Sequence, residues 1–491
     1  MNRRTPESAG LPSRAVIDFL DYIEECGYAL HSFILMKDGD IISEGYYSPF
    51  NKDRKHRIYS CSKSIVSLAV GGLVGEGLVS LDAPLVSYFP EITECPEILG
   101  AVTVEDALKM TLPMSESPYN ERVAGDPDHI TTADSWIASF FSGKALSDKP
   151  RGHLFRYNSH ASYILGALVE RVAGMQFYEY LRPVLRKIGV SEDYECVKSP
   201  EGIDWGSSGL CLRLEDFARI ANLMMNRGEW QGEQLLPREY MERATSKQID
   251  TRYTGGGSAN QYGYGYQIWI EPLGFGMHGM LGQVAFCFPE RGFVFVANSC
   301  EPEYRDVIYR GARELYKAIA DTPLSESPDT AILSERLSGL RYNQIFGTED
   351  SPSSGELFGQ SFEIADNPSG ITELSLSRDG DVGRLELIKR GERKRLDFGI
   401  GKMLETTFPE TKYYSDVFTV PSGRELRALT TGYFTSEHRL IISVEIADKT
   451  LGQMSIVIER TDRGIAVMMT KVAEAILGEY QGMLIGKRKE K

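Results

Sequence analysis

The spacing of hydrophobic residues changes along the chain, and each change predicts an element. Helical spacing covers 13–25, and the segment 32–47 then gives two apolar runs around Asp38-Gly39-Asp40. This is the pattern of a β-hairpin whose turn needs positive φ. Beyond Ser60 the apolar residues recur at intervals of three and four, which predicts a second helix.

A long block of helical periodicity separates this hairpin from the next strands. Between residues 82 and 243 the spacing is mostly helical, which we interpret as an insertion. The predicted helices lie near 104–111, 133–142, 160–173, 176–187, 214–227, 238–244 and 303–320, and the predicted strands at 262–270, 282–288 and 292–299. Short connections favour antiparallel pairing of these strands in one sheet, which the early hairpin joins.

The C-terminal part of the chain has a different pattern. Residues 321–332 have the composition of a linker, and short alternating strands with turns follow them. A chain of 491 residues also exceeds the size at which one hydrophobic core keeps growing. We expect an α+β domain over 1–322, with an antiparallel sheet flanked by helices, and an all-β accessory domain over 333–485. The second domain should be a sandwich or a small barrel.

Composition excludes several classes of function. The formal net charge of -15 argues against a nucleic-acid partner, because phosphate binding requires a basic face. We find no apolar run of about 18 residues, so no membrane partner is expected. The seven cysteines lack CxxC spacing, which favours reduced thiols and a cytoplasmic protein. The motifs HExxH and GxxxxGK[ST] are absent, so we expect no metal and no cofactor.

A serine and a lysine open the helix predicted after the hairpin. Ser60 and Lys63 are three positions apart, so one turn brings both side chains onto the same face near the positive end of the helix. The pair suits an activated nucleophile only if the lysine pKa falls below its ordinary value of about 10.4. Otherwise Ser60 caps the helix and Lys63 reaches solvent. Cys61 is a rival nucleophile, because a helix N-terminus lowers a thiol pKa.

The sequence around this pair carries a family resemblance. The stretch HRIYSCSKSIVSLAVGGLVGEGLVSLDAPLVSYFPE resembles the opening of the serine beta-lactamase, penicillin-binding protein and esterase superfamily, especially its class-C-like branch. Further on, Tyr157-Asn158-Ser159 resembles the Y-x-N triplet of that family, with Ser159 where asparagine is commoner. By resemblance, Ser159 would bond to Lys63 and to the substrate. The fold implied is beta-lactamase/transpeptidase-like.

A third segment extends the resemblance to roughly residues 5–320. His278 and Gly279 resemble the H-x-G or K-T-G triplet on a sheet strand of the family, with Met280 where a glycine usually closes the triplet. The resemblance implies an oxyanion hole formed by the backbone N–H of Ser60 and one at Met280 or Leu281. It also implies that His278 orients the substrate or supports the tyrosine.

The chemistry implied by the resemblance is two-step acyl transfer. Ser60 would attack a carbonyl carbon, an acyl-serine would form, and water would release it. Lys63 and Tyr157 would share the proton, and the choice of resting base stays open because such a pair titrates as a coupled unit.

The substrate stays open between several reactions of this superfamily. They include ester or small amide cleavage, β-lactam hydrolysis and D-amino-acid peptidase activity, and a non-catalytic ligand-binding or sensor protein is a further alternative. Because a cytoplasmic chain faces no cell wall, we expect a serine hydrolase that acts on a small-molecule ester or amide. We expect the all-β domain to shield one side of the cleft or to mediate dimerisation, which leaves a homo-oligomer open.

Overall fold

The chain divides into two compact units, Met1–Arg341 and Tyr342–Lys491. No helix in the described part of the chain is long and apolar enough to cross a membrane. The computed structural model describes residues 1–114, 120–123, 126–132, 134–148, 150–252, 261–301, 304–342, 346–410, 412–414, 419–421, 425–448, 451–472 and 480–489.

The first unit combines one antiparallel sheet with helices. Its helices are α1 (Ser13–Glu25), α2 (Ser62–Gly75), α3 (Glu97–Gly100), α4 (Val104–Leu108), α5 (Trp136–Phe141), α6 (Ser159–Ala173), α7 (Phe177–Lys187), α8 (Leu214–Met225), α9 (Arg238–Ala244), α10 (Tyr304–Ala318) and α11 (Pro328–Ser338). Its strands are β1 (Leu30–Lys37), β2 (Asp40–Tyr46), β3 (His56–Arg57), β4 (Asn120–Val123), β5 (Asp126–Thr132), β6 (Glu195–Cys196), β7 (Leu210–Leu212), β8 (Glu229–Trp230), β9 (Glu233–Gln234), β10 (Trp269–Glu271), β11 (Gly274–Gly279), β12 (Gln283–Phe288) and β13 (Phe293–Ser299).

The main sheet has the strand order β10-β11-β12-β13-β1-β2, with antiparallel neighbours throughout. The predicted hairpin joins this sheet, and its turn uses left-handed backbone at Asp38 (φ 53) and Gly39 (φ 84). Helices α3 to α9 lie between β2 and β10 in the chain. The predicted α+β class, with an antiparallel sheet and a helical insert, is therefore confirmed.

The core of the first unit lies on both faces of this sheet. On one face Phe19 of α1 contacts Phe33 and Phe295, with ring centroids 5.4 and 5.6 Å apart. On the other face α8 packs against β1, β12 and β13. Burial on both faces explains why β1 reads as a continuous apolar run rather than an alternating one.

The segment predicted as a linker, 321–332, folds in part as α11. The Thr330 hydroxyl donates a hydrogen bond to Glu7 at 2.9 Å. Arg336 forms an ion pair with Glu24 of α1 at 3.0 Å. These contacts attach α11 to the N-terminal part of the chain, so the first unit extends to Arg341.

The segment 262–270, predicted as a strand, is extended mainly at its end. Only Trp269–Glu271 belongs to β10. Gly263 (φ 122) and Gln267 (φ 62) adopt left-handed backbone, which interrupts a ladder. The alternation of aromatic residues in this segment therefore reflects burial along a folded loop rather than the pleat of a strand.

Gln267 connects the helices that surround the Ser60–Lys63 segment. Its backbone N–H donates to the Leu108 carbonyl at 3.0 Å, and its side-chain amide donates to the Ala107 carbonyl at 2.9 Å. The Ser162 hydroxyl of α6 donates to its side-chain oxygen, and the Ser64 hydroxyl of α2 donates to its carbonyl at 2.7 Å. One buried residue thus links α2, α4 and α6 to the start of β10.

The second unit is a closed barrel of the predicted all-β class. Nine strands close in the order β17-β16-β15-β14-β25-β24-β23-β22-β21, because β17 also pairs with β21. Buried aliphatic and aromatic side chains fill the interior. The unit contains α12 (Ser354–Leu357), β14 (Gln360–Ile364), β15 (Ile371–Asp379), β16 (Val382–Lys389), β17 (Glu392–Ile400), β18 (Leu404–Phe408), β19 (Lys412–Tyr414), β20 (Thr419–Pro421), β21 (Leu426–Ser436), β22 (Arg439–Ala447), β23 (Leu451–Thr461), β24 (Gly464–Val472) and β25 (Gly482–Arg488).

The hydrogen bonds of Gln267 predict a large loss of stability when its side-chain amide is removed. The variant Gln267→Met keeps the side-chain volume but leaves buried carbonyl and hydroxyl groups without partners, so we expect it to lower the free energy of unfolding by about 2–4 kcal/mol. Urea unfolding followed by tryptophan fluorescence measures this value for the first unit alone, because that unit holds the four tryptophans, at positions 136, 205, 230 and 269.

The control for this experiment is Gln248→Met. Gln248 also donates its amide to a backbone carbonyl, that of Arg243 at 3.0 Å, but it is partly exposed. Surface changes of this kind stay within about 0.5 kcal/mol. Equal urea midpoints for the two variants would contradict a connecting role of Gln267.

Candidate active site

Ser60 lies in a tight turn that leads into α2, with its side chain partly exposed. The turn is a 3-10 helix over Tyr59–Cys61, and α2 begins at Ser62. Tyr59 is buried and has left-handed backbone (φ 47), an uncommon conformation for a residue with a side chain. No side chain caps α2, so the alternative in which Ser60 is a helix cap is wrong.

Lys63 is buried beneath Ser60 and does not reach solvent. Lys63 is 1% exposed, and its Nζ lies 3.1 Å from Ser60 Oγ. It also donates a hydrogen bond to the Ser207 carbonyl at 2.6 Å. Among the residues that the structure describes, no carboxylate forms an ion pair with Lys63. Burial lowers the pKa of Lys63 to about 7, against a small opposing effect of Cys61.

The ring of Tyr157 lies over the amine of Lys63. The ring centroid of Tyr157 lies 5.0 Å from Lys63 Nζ, and the residue is 38% exposed. Its ring stacks on Trp269, with centroids 5.7 Å apart and an interplanar angle of 15°. The structure therefore brings together the first two predicted motifs, which are almost a hundred residues apart in the chain.

The rest of the tyrosine triplet has a structural role that the sequence did not distinguish. The Asn158 side chain caps α6 by accepting hydrogen bonds from the backbone N–H groups of His160 and Ala161, at 2.9 and 3.3 Å. Ser159 is the first residue of α6 and is partly exposed. The hydrogen bonds of Lys63 go to Ser60 and to the Ser207 carbonyl instead of to Ser159.

The third predicted motif lies on β11 beside the Ser60 turn. A side chain at Gly279 would collide with the Ile58 carbonyl and would come within 3.3 Å of Cys61 Sγ. Gly279 therefore allows the strand to approach the turn closely. Met280, which follows, is 40% exposed, whereas Leu281 is buried with left-handed backbone (φ 60).

His278 is buried and paired with a carboxylate rather than open to the cleft. Its Nε2 lies 2.6 Å from Glu271 Oε1 on the neighbouring strand β10. Because a carboxylate accepts, Nε2 carries the proton. The ring of His278 contacts Trp269 at a centroid distance of 6.3 Å, and Trp269 in turn stacks on Tyr157. Trp269 therefore lies between His278 and Tyr157.

Cys61 does not have the properties of a nucleophile. It is fully buried, and its thiol donates to the Gln283 carbonyl at 3.3 Å. Burial raises the pKa of Cys61 well above its ordinary value, so the thiol stays protonated. The helix N-terminus predicted to lower this pKa is outweighed by the loss of water.

Sequence reasoning missed three groups that complete the site: the Ser207 carbonyl, Trp269 and Glu271. Ser207 contributes a backbone oxygen, whose position follows from a tight turn in the segment WGSSGL. At Gly206, a side chain would meet Val66 of α2, so the glycine brings this turn against the helix that carries Lys63. Glycines on both sides of two serines were the signal available in the sequence. In the described part of the chain, no cluster of three His, Cys, Asp or Glu residues could hold a metal ion.

The first unit of the chain is similar to known proteins. The family model described as Beta-lactamase matches residues 24–317. The 6-aminohexanoate-dimer hydrolase of Paenarthrobacter ureafaciens is 24% identical over 271 residues, which are 50% of this chain and 67% of that protein.

Two solved structures show the fold. An octameric penicillin-binding protein homologue from Pyrococcus abyssi has a TM-score of 0.50 and 20% identity, and the match covers 90% of this chain and 99% of that one. A family VIII carboxylesterase has a TM-score of 0.50 and 14% identity over 65% of this chain and 99% of its own.

Proposed function

The chain belongs to the Beta-lactamase family and is a serine hydrolase, and on that premise we propose that it cleaves small esters or amides through an acyl-Ser60 intermediate. The observation that carries this proposal is the buried lysine beside a partly exposed serine. Lys63 Nζ lies 3.1 Å from Ser60 Oγ, and burial lowers the pKa of Lys63 to about 7. A neutral amine at that distance can accept the hydroxyl proton.

In the proposed first step, Ser60 Oγ forms a bond to the substrate carbonyl carbon while its proton moves to Lys63 Nζ. The negative charge that develops on the carbonyl oxygen is stabilised by the backbone N–H groups of Ser60 and of Met280 or Leu281. Collapse of this intermediate breaks the bond to the leaving group. In the proposal that group takes the proton from Lys63 Nζ through the Tyr157 hydroxyl, because the Tyr157 ring, which stacks on Trp269, lies over Lys63 Nζ.

In the second step, water forms a bond to the acyl carbon and gives a proton to Lys63 or Tyr157. The bond between Ser60 Oγ and the acyl carbon then breaks, Oγ takes that proton, and the acid product leaves. The other predicted residues line this path in the proposal. Gly279 brings β11 against the Ser60 turn, His278 supports Trp269 and Tyr157, and Ser159 faces the substrate from the start of α6. No step needs a cofactor.

Relatives support the substrate class. The curated relative is a hydrolase named for an amide dimer, and one structural neighbour is a carboxylesterase. We propose small esters and amides as substrates in preference to β-lactams or D-peptides.

We also propose that the barrel of residues 342–491 is an accessory domain that mediates dimerisation. Size-exclusion chromatography with light scattering measures the oligomeric state that this predicts. The cysteines in the described residues are free, which supports a cytoplasmic location.

We expect a fluorophosphonate probe to label the protein at Ser60. The hydroxyl is partly exposed and has a base at hydrogen-bonding distance, so it should form a covalent adduct that peptide mass spectrometry locates. Ser60→Ala should lose the label and the hydrolysis of p-nitrophenyl acetate, whereas Cys61→Ala should keep both. An unlabelled protein that is fully folded would favour the non-catalytic sensor alternative.

The pKa of Lys63 predicts how labelling depends on pH. Because burial lowers this pKa to about 7, the amine is protonated below that pH and neutral above it. The labelling rate should therefore be low at about pH 5.5, rise through a midpoint near 7, and level off above about pH 8.5. Labelling reactions stopped at fixed times, at constant ionic strength, measure the pH profile. Lys63→Met should abolish the pH dependence together with most of the labelling rate. A midpoint near 10 would contradict a buried base.

A substrate panel separates the proposed class from its alternatives. We expect kcat/KM for p-nitrophenyl acetate and for a short linear amide to exceed that for nitrocefin and for D-alanyl-D-alanine by about tenfold or more. All four activities should disappear in Ser60→Ala, which identifies a shared nucleophile. A preference for nitrocefin would assign a β-lactamase, and a preference for the D-dipeptide would assign a D-amino-acid peptidase.

A further inference from the structure

Arg57 is a buried cation next to the site that has no part in the chemistry proposed above. It is 1% exposed, and it ends the short strand β3, three residues before Ser60. Strand β3 pairs with β7, which directly follows the turn that contains Ser207. Burying a guanidinium is expensive unless its N–H groups are satisfied, so its contacts indicate what it holds.

The first set of contacts is with the turn whose Ser207 carbonyl accepts the hydrogen bond from Lys63. Arg57 Nε donates to the Ser208 carbonyl at 2.7 Å, and Nη2 lies 3.5 Å from the Ser208 hydroxyl. The preceding carbonyl, that of Ser207, accepts the hydrogen bond from Lys63 at 2.6 Å. Two basic side chains therefore bond to consecutive carbonyls of one turn. The two carbonyls belong to adjacent peptide groups that share the Ser208 Cα, so only the φ and ψ angles of Ser208 separate the carbonyl that Arg57 fixes from the one that Lys63 uses.

The second set of contacts is with the residue that precedes the nucleophile. The guanidinium carbon of Arg57 lies 4.5 Å from the centroid of the Tyr59 ring and 5.0 Å from that of Trp205. Left-handed backbone at a residue such as Tyr59 is strained and persists only where the surroundings hold it. A desolvated cation is attracted to the face of an aromatic ring, and this attraction opposes that strain.

We propose that Arg57 is a positioning residue for acyl transfer, whose guanidinium joins the Tyr59 ring to the Ser207–Ser208 turn and so fixes Ser60 Oγ against Lys63 Nζ. The proposal rests on the proposed function, because it assigns Arg57 to the geometry of that same pair. Arg57 does not touch the reacting atoms. A lysine cannot replace it, because an ammonium lacks the planar fork that bonds a carbonyl while it covers a ring.

The experiment measures fluorophosphonate labelling of the full-length chain carrying Arg57→Lys. We expect labelling to slow by about 10- to 100-fold, because displacement of reacting groups by about 1 Å has effects of that size. The midpoint of the pH profile should also move upward by about one pH unit, because a loosened turn admits water to the lysine. Thermal unfolding of the same sample shows how much of it is folded.

The control is Arg219→Lys, which changes another arginine bonded to a backbone carbonyl. Arg219 donates to the Ile188 carbonyl at 2.9 Å from α8, outside the site. We expect this variant to keep the labelling rate within about twofold and the midpoint unchanged. If Arg57→Lys is not recovered folded, the same readouts are taken on Arg57→Gln, which can still donate to Ser208 but carries no charge.

The outcomes separate the two proposals. Wild-type protein that is folded but unlabelled would overturn the acyl-serine function itself. Wild-type labelling at Ser60 combined with an unchanged rate and midpoint in a folded Arg57 variant would overturn the positioning role alone. A lower melting temperature with an unchanged rate and midpoint has the same meaning, because it would show that Arg57 only stabilises the fold.

Discussion

The site depends on one constraint, which is that the Lys63 ammonium is buried without a carboxylate partner among the described residues. An amine in this position loses its hydration, and the loss destabilises the charged form. Lowering the pKa of Lys63 from 10.5 to about 7 corresponds to roughly 5 kcal/mol between its two protonation states. The hydrogen bonds to Ser60 and the Ser207 carbonyl keep the amine in place without restoring that charge. Burial alone thus lowers the pKa of this amine to the neutral range.

Burial of Lys63 requires chain segments that are far apart in sequence to pack closely together. Gln267 ties α2, α4 and α6 to the start of β10, and Gly279 lets β11 pass directly beside the Ser60 turn. The ring of Tyr157, which stacks on Trp269, then lies over the amine of Lys63. Each of these contacts joins an element of the helical insert or of α2 to one edge of the same sheet. The geometry around Lys63 therefore depends on the packing of that edge.

Much of this could be predicted from the sequence, for physical reasons that differ between residues. Side chains with a distinctive chemistry at a fixed spacing, such as Ser60 with Lys63, identify a helix face directly, and Ser60 Oγ lies 3.1 Å from Lys63 Nζ. Tyr157 could be placed only through its family resemblance, because a lone tyrosine beside a helix has no chemical signature. The hairpin at Asp38 and Gly39 followed from the need for positive φ.

The parts that could not be predicted involve the backbone and its tertiary partners. The acceptor for Lys63 is the main-chain oxygen of Ser207, and every residue has such an oxygen. The alternation of tyrosines and glycines in 262–268 resembles a strand, but left-handed backbone at Gln267 turns it into a loop. Glu271 pairs with His278 across adjacent strands, and that register depends on the turn between β10 and β11. Such features appear only when the chain is folded.

Helix α11 has a consequence for how this chain can change over evolution. It attaches to α1 and to the N-terminal segment through its own ion pairs and hydrogen bonds, and only then does the chain enter the barrel. The first unit therefore ends along the chain before the barrel begins. A gene fusion or an exchange of modules after this helix would keep every residue of the proposed acylation site within one continuous segment of the chain.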